Sequence, residues 1–257
     1  MKKKKSFRKL YKKRIIKPFY QKRGFLISGL ILLFFSFLGY LFFLSPLFQA
    51  TEIVVLGNQL ISDEVIKANL QENLFFNLLF LELRTLFSIK KSEAIIKIKE
   101  EFPEISSVRI ERNFPNKIIV NLRERSPVAI WCQGESCFLI DQEGVIFQKS
   151  SSLNMVVIQS ENNDFNLGQR VIAQEEMAKI IKIGRSLKEI GLVSFNLEGE
   201  KLKVQTAEGW QVFFTTRKDI SEQIINLFLI LNKQISAERR KQLNYIDLRF
   251  YNQAIFK

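Results

Sequence analysis

The sequence predicts an α+β protein with a single N-terminal transmembrane helix, a small domain of the order β-α-α-β-β and a mixed α/β second domain with an antiparallel-rich sheet. Three observations support this architecture. The excess positive charge precedes residue 24, since 12 of the 39 Lys and Arg residues lie between Lys2 and Arg23. The charges of the other 27 are nearly balanced by the 26 acidic residues, all of which follow residue 23. A run of about 20 uncharged residues follows. Beyond it, short β-branched runs alternate with amphipathic helical patterns.

The uncharged run, Phe25 to Leu44, is long enough to cross a bilayer as a helix. About 20 residues at a rise of about 1.5 Å each span a hydrocarbon core of about 30 Å. A cleaved signal peptide is the alternative, but its apolar region normally runs about 7 to 15 residues and ends in small residues, whereas Pro46 to Gln49 follow here. We expect residues 1–23 to be a basic cytoplasmic tail and residues 24–46 an uncleaved anchor. Because Lys and Arg clusters stay inside, the rest of the chain is expected outside the cytoplasm.

The basic tail raises the question of what it binds. Basic runs can bind nucleic acid, but no aromatic-studded groove or folded module accompanies this one, and the chain after residue 23 is nearly neutral. Anionic lipid attracts juxtamembrane basic residues by about 1 kcal/mol each. We therefore expect membrane lipid as the partner of the tail and no nucleic acid.

Histidine is absent from the whole chain. This excludes His-dependent catalytic triads and His-type zinc sites. Ser-Lys dyads are compatible with the composition, but no motif places a serine at a helix start beside a recognisable lysine. We predict no catalytic residues, no cofactor and no metal, and therefore a protein that is not an enzyme.

The small domain is predicted from five segments in order. They are the β-branched run Thr51 to Leu56 before the turn at Gly57-Asn58, a helix capped by Ser62, a helix from Ser92 that stops at Pro103, and strands over 107–113 and 118–124 around the turn Phe114-Pro115-Asn116-Lys117. The caps, the proline stop and the alternation in the last strand each follow known start, stop and period signals.

The second domain is predicted to be α+β from the same signals. Its expected elements are strands over 128–132, 137–140, 145–148 and 155–158, a helix ending at Gly191, a hairpin of 202–206 with 210–214, a helix over 221–235 and a strand from Asn244 to about Phe250. Asp141 to Gly144 supplies turn chemistry between the second and third strands.

The ordered segments resemble the extracytoplasmic part of the FtsQ/DivIB family of bacterial cell-division proteins. The matching stretches are Val54 to Asn58, Phe102-Pro103 with Val108 to Arg112, Phe114 to Ile118, Glu124 to Trp131, Asp141 to Phe147 and Tyr245 to Arg249. This family places a POTRA domain directly outside a single anchor. The resemblance implies a POTRA domain at 48–124, an FtsQ-type β domain at 125–257 and a location in the cell membrane at the division septum.

The final strand is the predicted partner-binding surface. Open sheets leave unpaired N–H and C=O groups at their edges, where another segment can add itself as a strand. The chain end offers such an edge with exposed aromatic residues, and in the family the same surface receives a strand from FtsB/DivIC. The predicted receiving residues are Arg249, Phe250, Tyr251, Asn252, Gln253, Ala254 and Ile255. In the alternative, Tyr251 and Phe256 fold back onto the domain.

The resemblance implies a bitopic division scaffold with no enzymatic activity. It would recruit FtsB/DivIC-like and FtsL-like bitopic proteins by strand addition and link them to septal peptidoglycan synthases. Two alternatives stay open at this level, namely a POTRA-type chaperone or transport accessory and a membrane-anchored extracytoplasmic hydrolase.

Two further features are left open by the residues alone. Cys132 and Cys137 flank a four-residue hairpin loop, so they can form a disulfide outside the cytoplasm or remain free, half-buried thiols. The stretch Leu74 to Leu83 is longer and more apolar than the family pattern, but too short to span a membrane. We expect it to pack under the sheet of the small domain, with contact to lipid or to a partner's anchor as the alternative.

Overall fold

A computed structural model describes residues 23–78, 81–150, 155–160, 165–250 and 253–257. The predicted basic tail therefore lies, apart from Arg23, outside the described residues. Helix α1 (Arg23–Phe43) covers most of the predicted anchor, and within the described ranges it alone is long and apolar enough to cross a membrane. Most of its side chains are exposed, and those of Leu38, Leu41 and Phe42 near its end are partly covered.

The α+β architecture follows in the predicted order. The elements before residue 125 are β1 (Glu52–Leu56), α2 (Asp63–Asn73), β2 (Phe76–Leu78), β3 (Leu81–Leu83), α3 (Lys91–Glu101), β4 (Ile105–Asn113) and β5 (Lys117–Glu124). Strands β1, β5 and β4 form a three-stranded sheet in that order, and α2 packs against α3. Apolar side chains of the two helices are fully buried, including those of Ile66, Leu70 and Ile98.

Glycine is required at the end of β1. Gly57 has φ +89°, and a Cβ atom there would lie 2.2 Å from the carbonyl oxygen of Leu122. Only glycine adopts this conformation without strain and allows so close an approach. The Gly-Asn turn signal in the sequence thus reflects a real packing constraint.

Two local predictions in this region differ from the structure. Helix α3 begins at Lys91, before the predicted cap Ser92, because the carbonyl of Lys90 already accepts the first helical hydrogen bond from Ala94 N at 3.1 Å. Within the apolar stretch, β2 and β3 form a separate two-stranded hairpin and do not join the three-stranded sheet. Leu74 and Phe75 are buried, whereas Phe76 is exposed.

The chain divides into two compact units. The first contains the chain up to Glu52 together with Phe75–Ile89 and Asn113–Lys117. The second contains Ile53–Leu74, Lys90–Arg112 and Ile118–Lys257. The hairpin β2–β3 and the turn after β4 therefore belong with the anchor helix.

A nine-stranded mixed sheet dominates the region after residue 125. Its elements are β6 (Ala129–Gln133), β7 (Ser136–Ile140), β8 (Ile146–Lys149), β9 (Val157–Gln159), α4 (Gln174–Ser186), β10 (Leu192–Glu198), β11 (Lys201–Thr206), β12 (Gln211–Thr215), α5 (Ile220–Lys233), α6 (Ala237–Arg240), β13 (Tyr245–Asp247) and β14 (Ile255–Phe256). The strand order is β14-β13-β12-β11-β10-β9-β6-β7-β8. Five of the eight neighbouring pairs are antiparallel, which confirms an antiparallel-rich sheet.

Helices α4 and α5 are the connections that parallel neighbours require. Helix α4 joins β9 to its parallel neighbour β10, and α5 leads from β12 to its parallel neighbour β13. Both helices contribute apolar residues, including Met177, Ile183 and Leu227, to one core, and Trp131 and Trp210 of the sheet region are buried in the same core. Strand β10 was not predicted, and the strand predicted from Asn244 to about Phe250 ends as β13 at Asp247.

Candidate interaction surface at the sheet edge

The last strand, β14, forms one edge of the nine-stranded sheet. It pairs with β13 in antiparallel register, with Ile246 opposite Phe256 and Asp247 opposite Ile255. Tyr245 and Lys257 exchange backbone hydrogen bonds of 3.3 and 3.2 Å. Because bonded and non-bonded pairs alternate along an antiparallel ladder, the N–H and C=O of Phe256 face the open side. The chain end thus presents a strand edge of the kind that a further strand can join.

The opposite edge of the sheet, β8, is less open. The carbonyl of Ile146 accepts a hydrogen bond of 2.8 Å from Gly168 N, and the amide of Ile146 donates to Gln169 O at 3.1 Å. Val145 forms an isolated bridge with Arg170. The loop before α4 therefore occupies the start of β8, which leaves β14 as the better candidate for strand addition.

The outer face of the β14 edge carries a row of large side chains. Phe213, Asp247 and Ile255 occupy neighbouring positions across β12, β13 and β14. The ring of Phe213 lies 5.9 Å from that of Tyr245, and the guanidinium of Arg249 lies 5.2 Å from the centre of the Phe213 ring. The exposed Ile255 side chain thus extends a partly aromatic surface.

Asp247 and Arg249 fix the chain where it leaves β13. Arg249 donates from Nε and Nη2 to the carboxylate of Asp247 at 2.9 and 2.6 Å, and its backbone N–H donates to the same group at 3.0 Å. Burial alone would raise the pKa of Asp247, but these hydrogen bonds and the positive charge lower it below the ordinary value. The same hydrogen bonds raise the pKa of Arg249. The residue predicted to receive a partner therefore already holds an internal ion pair.

The other predicted receiving residues differ in their exposure and packing. Phe250 and Gln253 are exposed, Ala254 packs against the core, and Ile255 begins β14. Tyr251 and Asn252 lie outside the described residues. Phe256 packs back against the core, so the structure contains part of the alternative arrangement. The open edge is confined to the end of the chain and does not run through Arg249.

Phe213 and Tyr245 at this surface were missed by the sequence reasoning. Lys218, which donates from Nζ to the Arg249 carbonyl at 2.9 Å, was missed as well. The parallel pairing of β12 with β13 brings these residues together, and no local sequence signal specifies that pairing.

The two cysteines lie directly opposite each other on β6 and β7. Cys132 pairs with Cys137 in the register of the hairpin, and their Cα atoms are 4.1 Å apart. The two sulfur atoms form a disulfide bond in the structure. Cα atoms of disulfide-bonded residues are usually about 4.4 to 6.8 Å apart, so this directly opposed pair lies just below that range.

Arg125 and Asp141 form a second ion pair, more buried than the first, at the start of the sheet domain. The Nη1 of Arg125 contacts the Asp141 carboxylate, and its Nε donates to the carbonyl of Pro103 at 3.1 Å. Asp141 also accepts from the backbone N–H groups of Glu143 and Val145, both at 2.9 Å. The aspartate is therefore a turn-forming residue, as predicted, and it ties the turn to the end of α3 through Arg125.

A serine and a lysine do approach each other, although no motif indicated it. Lys182 Nζ lies 2.5 Å from Ser221 Oγ near the start of α5. The Ser221 hydroxyl donates to Asp219 Oδ1 at 2.9 Å, and the group is exposed. The N-cap carboxylate thus engages the hydroxyl, and the hydrogen bonds of Ser221 to Asp219 lower the pKa of that carboxyl. This is the arrangement of a helix cap.

Comparison with known proteins matches the region just after the anchor to a family model. Residues 48–125 match the model described as POTRA domain, FtsQ-type. The fold and this match therefore define a class, namely a protein with one N-terminal apolar helix, an FtsQ-type POTRA domain and a sheet-rich second domain.

The curated relatives that the chain resembles are all cell-division proteins. The chain is 23% identical over 232 residues to the cell division protein DivIB of Clostridium tetani, which covers 85% of this chain and 83% of the relative. It is 22% identical over 129 residues to FtsQ of Myxococcus fulvus, an alignment that covers 47% of this chain and 45% of the relative. It is 29% identical over 102 residues to FtsQ of Rickettsia prowazekii, which covers 40% of this chain and 35% of the relative. The family model and these relatives support assignment of the chain to the FtsQ/DivIB family, and with it a role in cell division.

Proposed function

We propose that this protein is a non-catalytic, bitopic scaffold of the bacterial division machinery that receives a strand from an FtsB/DivIC-like partner at the β14 edge. The N-terminus lies in the cytoplasm and the POTRA and sheet domains lie outside, at the septum. An FtsL-like protein joins the complex by pairing with the FtsB/DivIC-like protein, and the complex is linked in turn to septal peptidoglycan synthases. The open edge of β14 is the observation that carries the proposal.

Strand addition supplies affinity and specificity from different groups. The outward N–H and C=O of Phe256 bond the backbone of the incoming strand, whatever its sequence. Side chains that alternate along that strand then contact either the Phe213–Tyr245 surface or the opposite face. Because Ile255 lies beside this surface and is 45% exposed, an added strand would cover it.

The test uses the full chain in membranes with an Ile255→Lys substitution. Full burial of an isoleucine contributes about 1.5–3 kcal/mol, so covering the exposed part of Ile255 contributes about 1 kcal/mol. A lysine placed there loses this contribution and adds the desolvation of a charge, which we expect to weaken binding by about tenfold or more. Co-purification with the bitopic partner and titration of the purified pair measure the effect.

Ile96→Lys is the matched control. Ile96 is 56% exposed on α3, so the same change of residue at a comparable exposure should leave binding at the wild-type level. Equal binding by wild type and by Ile255→Lys would exclude the β14 edge as the receiving site. Equal loss by both lysine variants would show that added charge, and not the edge, is responsible.

A further inference from the structure

Four phenylalanine rings form a cluster at the end of the anchor helix. Phe42 belongs to the last turn of α1, Phe48 to the short turn Pro46–Phe48, Phe87 to the turn Leu86–Ser88, and Phe114 to the turn between β4 and β5. Ring centres lie 5.0 Å apart for Phe42 and Phe87, 5.3 Å for Phe48 and Phe87, and 5.7 Å for Phe87 and Phe114. We call these four residues the phenylalanine collar.

The collar is apolar but it is not a buried core. Phe114 is 55% exposed, and Phe42, Phe48 and Phe87 are only partly covered. Further exposed apolar side chains from the same compact unit extend the surface; they are Phe43, Leu44, Leu47 and Phe76. Contiguous exposed apolar patches are rare on soluble surfaces and mark sites that contact a partner or a membrane.

The position of Phe42 sets the height of the collar relative to the membrane. Phe42 lies two residues before the end of the apolar run, or about 3 Å along the helix axis at a rise of about 1.5 Å per residue. The ring of Phe87 is 5.0 Å from that of Phe42, and the ring of Phe48 is 5.8 Å from it. If α1 spans the bilayer, these rings lie at the boundary between hydrocarbon and headgroups.

Charge does not oppose this placement. The nine residues from Phe43 to Thr51 carry no charge. The first charged side chain after the helix is that of Glu52, which pairs with Lys117 Nζ at 2.8 Å. The segment that follows the helix is therefore uncharged and largely apolar, and the charged residues after the helix in the same unit, Glu52, Glu82, Arg84 and Lys117, lie outside it in the sequence.

We propose that the phenylalanine collar, with Leu47, is seated in the outer interface of the lipid bilayer and binds lipid as a second membrane contact beside the anchor. The chemistry is that of interfacial segments, whose apolar side chains enter the boundary between headgroups and acyl chains. The collar joins three separate turns to the helix end, so seating it in lipid fixes the height of those turns above the membrane. This inference rests on the membrane-spanning role of α1 proposed above.

The experiment measures depth in a bilayer that contains only this protein. The full chain carrying Phe114→Cys, or Leu47→Cys as a second probe, is labelled with an environment-sensitive fluorophore and reconstituted into vesicles of phosphatidylethanolamine and phosphatidylglycerol. Wild-type chain taken through the same labelling gives the background from Cys132 and Cys137, which the structure joins. Phe37→Cys in the anchor and Ile96→Cys on the exposed face of α3 are the deep and the aqueous reference positions.

We expect blue-shifted emission at residues 114 and 47 and quenching by lipids brominated near the headgroup, with Ile96→Cys unshifted. Aqueous emission at both collar positions, together with deep emission at Phe37→Cys, would overturn the collar proposal and leave the anchor intact. Aqueous emission at Phe37→Cys would instead refute the anchor itself. A blue shift that occurs only in native membranes would identify a protein neighbour as the occupant and would also overturn the proposal.

Discussion

Removing Arg125 is expected to leave a buried carboxylate without its counter-charge. The side chains of Arg125 and Asp141 are 10% and 5% exposed, so the pair is largely shielded from water. Truncating one member of such a buried pair costs about 3–5 kcal/mol. Arg125→Met keeps much of the apolar stem and removes the guanidinium. The loss of stability therefore reports mainly on the charge and on the hydrogen bonds to Asp141 and the Pro103 carbonyl.

Glu143→Gln is the matched control for this prediction. Its carboxylate lies 3.5 Å from Arg125 Nη1, but the side chain is 41% exposed. Exposed ion pairs contribute about 0–1 kcal/mol because water and salt screen them. The control therefore removes a charge beside the same arginine without leaving a buried group unpaired.

Tryptophan fluorescence during thermal unfolding of the purified full chain is a suitable assay, since Trp131 and Trp210 are both fully buried in the sheet domain. About 1 kcal/mol shifts Tm by roughly 2–4 °C for a domain of this size, so Arg125→Met should lower Tm by about 6–20 °C and Glu143→Gln by about 4 °C at most. The double variant Arg125→Met with Asp141→Asn should lose less stability than the sum of the losses of the two single variants. Equal shifts for Arg125→Met and Glu143→Gln, or additive losses in the double variant, would refute the buried-pair interpretation.

Two remaining predictions concern the disulfide and the sheet edge. Cys132→Ser should cost about 2 kcal/mol, because the closed loop of about six residues is short, and reductant should lower the Tm of wild type but not of the variant. The pKa of Asp247 is lowered in the folded state by Arg249, so this stabilisation is complete above the unfolded value of about 3.9 and is lost as the pH falls through the folded value. Asp247→Asn should therefore be less stable than wild type at neutral pH, and the difference should disappear in acid; a constant difference down to pH 2 would contradict the assignment.

Local signals predicted the elements that depend on near neighbours in sequence. The hairpin of β6 and β7 follows from two apolar runs around a glycine loop, and it placed Cys132 opposite Cys137. Asp141 as a turn residue follows from the chemistry of the Asp-Gln-Glu-Gly segment, which the hydrogen bonds to Glu143 and Val145 confirm. In each case the residues that interact lie within a few positions of one another, so the local sequence pattern is enough to predict the contact.

Pairings between distant segments were not predictable in the same way. Strand β10 was missed, although it pairs with both β9 and β11 in the centre of the sheet. The predicted last strand was too long because Ile246 and Leu248 are both buried, which gives the alternation of a strand, while the chain already leaves the sheet after Asp247. The strand at this edge of the sheet is therefore the two-residue β14, and not a continuation of β13 through Arg249.

The phenylalanine collar shows why an apolar sequence pattern alone could not separate lipid contact from packing. Phe42, Phe48, Phe87 and Phe114 come from four segments, and each is an ordinary apolar residue in its own local pattern. The ring contacts bring them together, and their exposure then excludes a buried core as the explanation. A spanning helix fixes the height of every group that contacts its last turn. If the collar is seated in lipid as proposed, the membrane covers the apolar side chains that the protein itself leaves exposed.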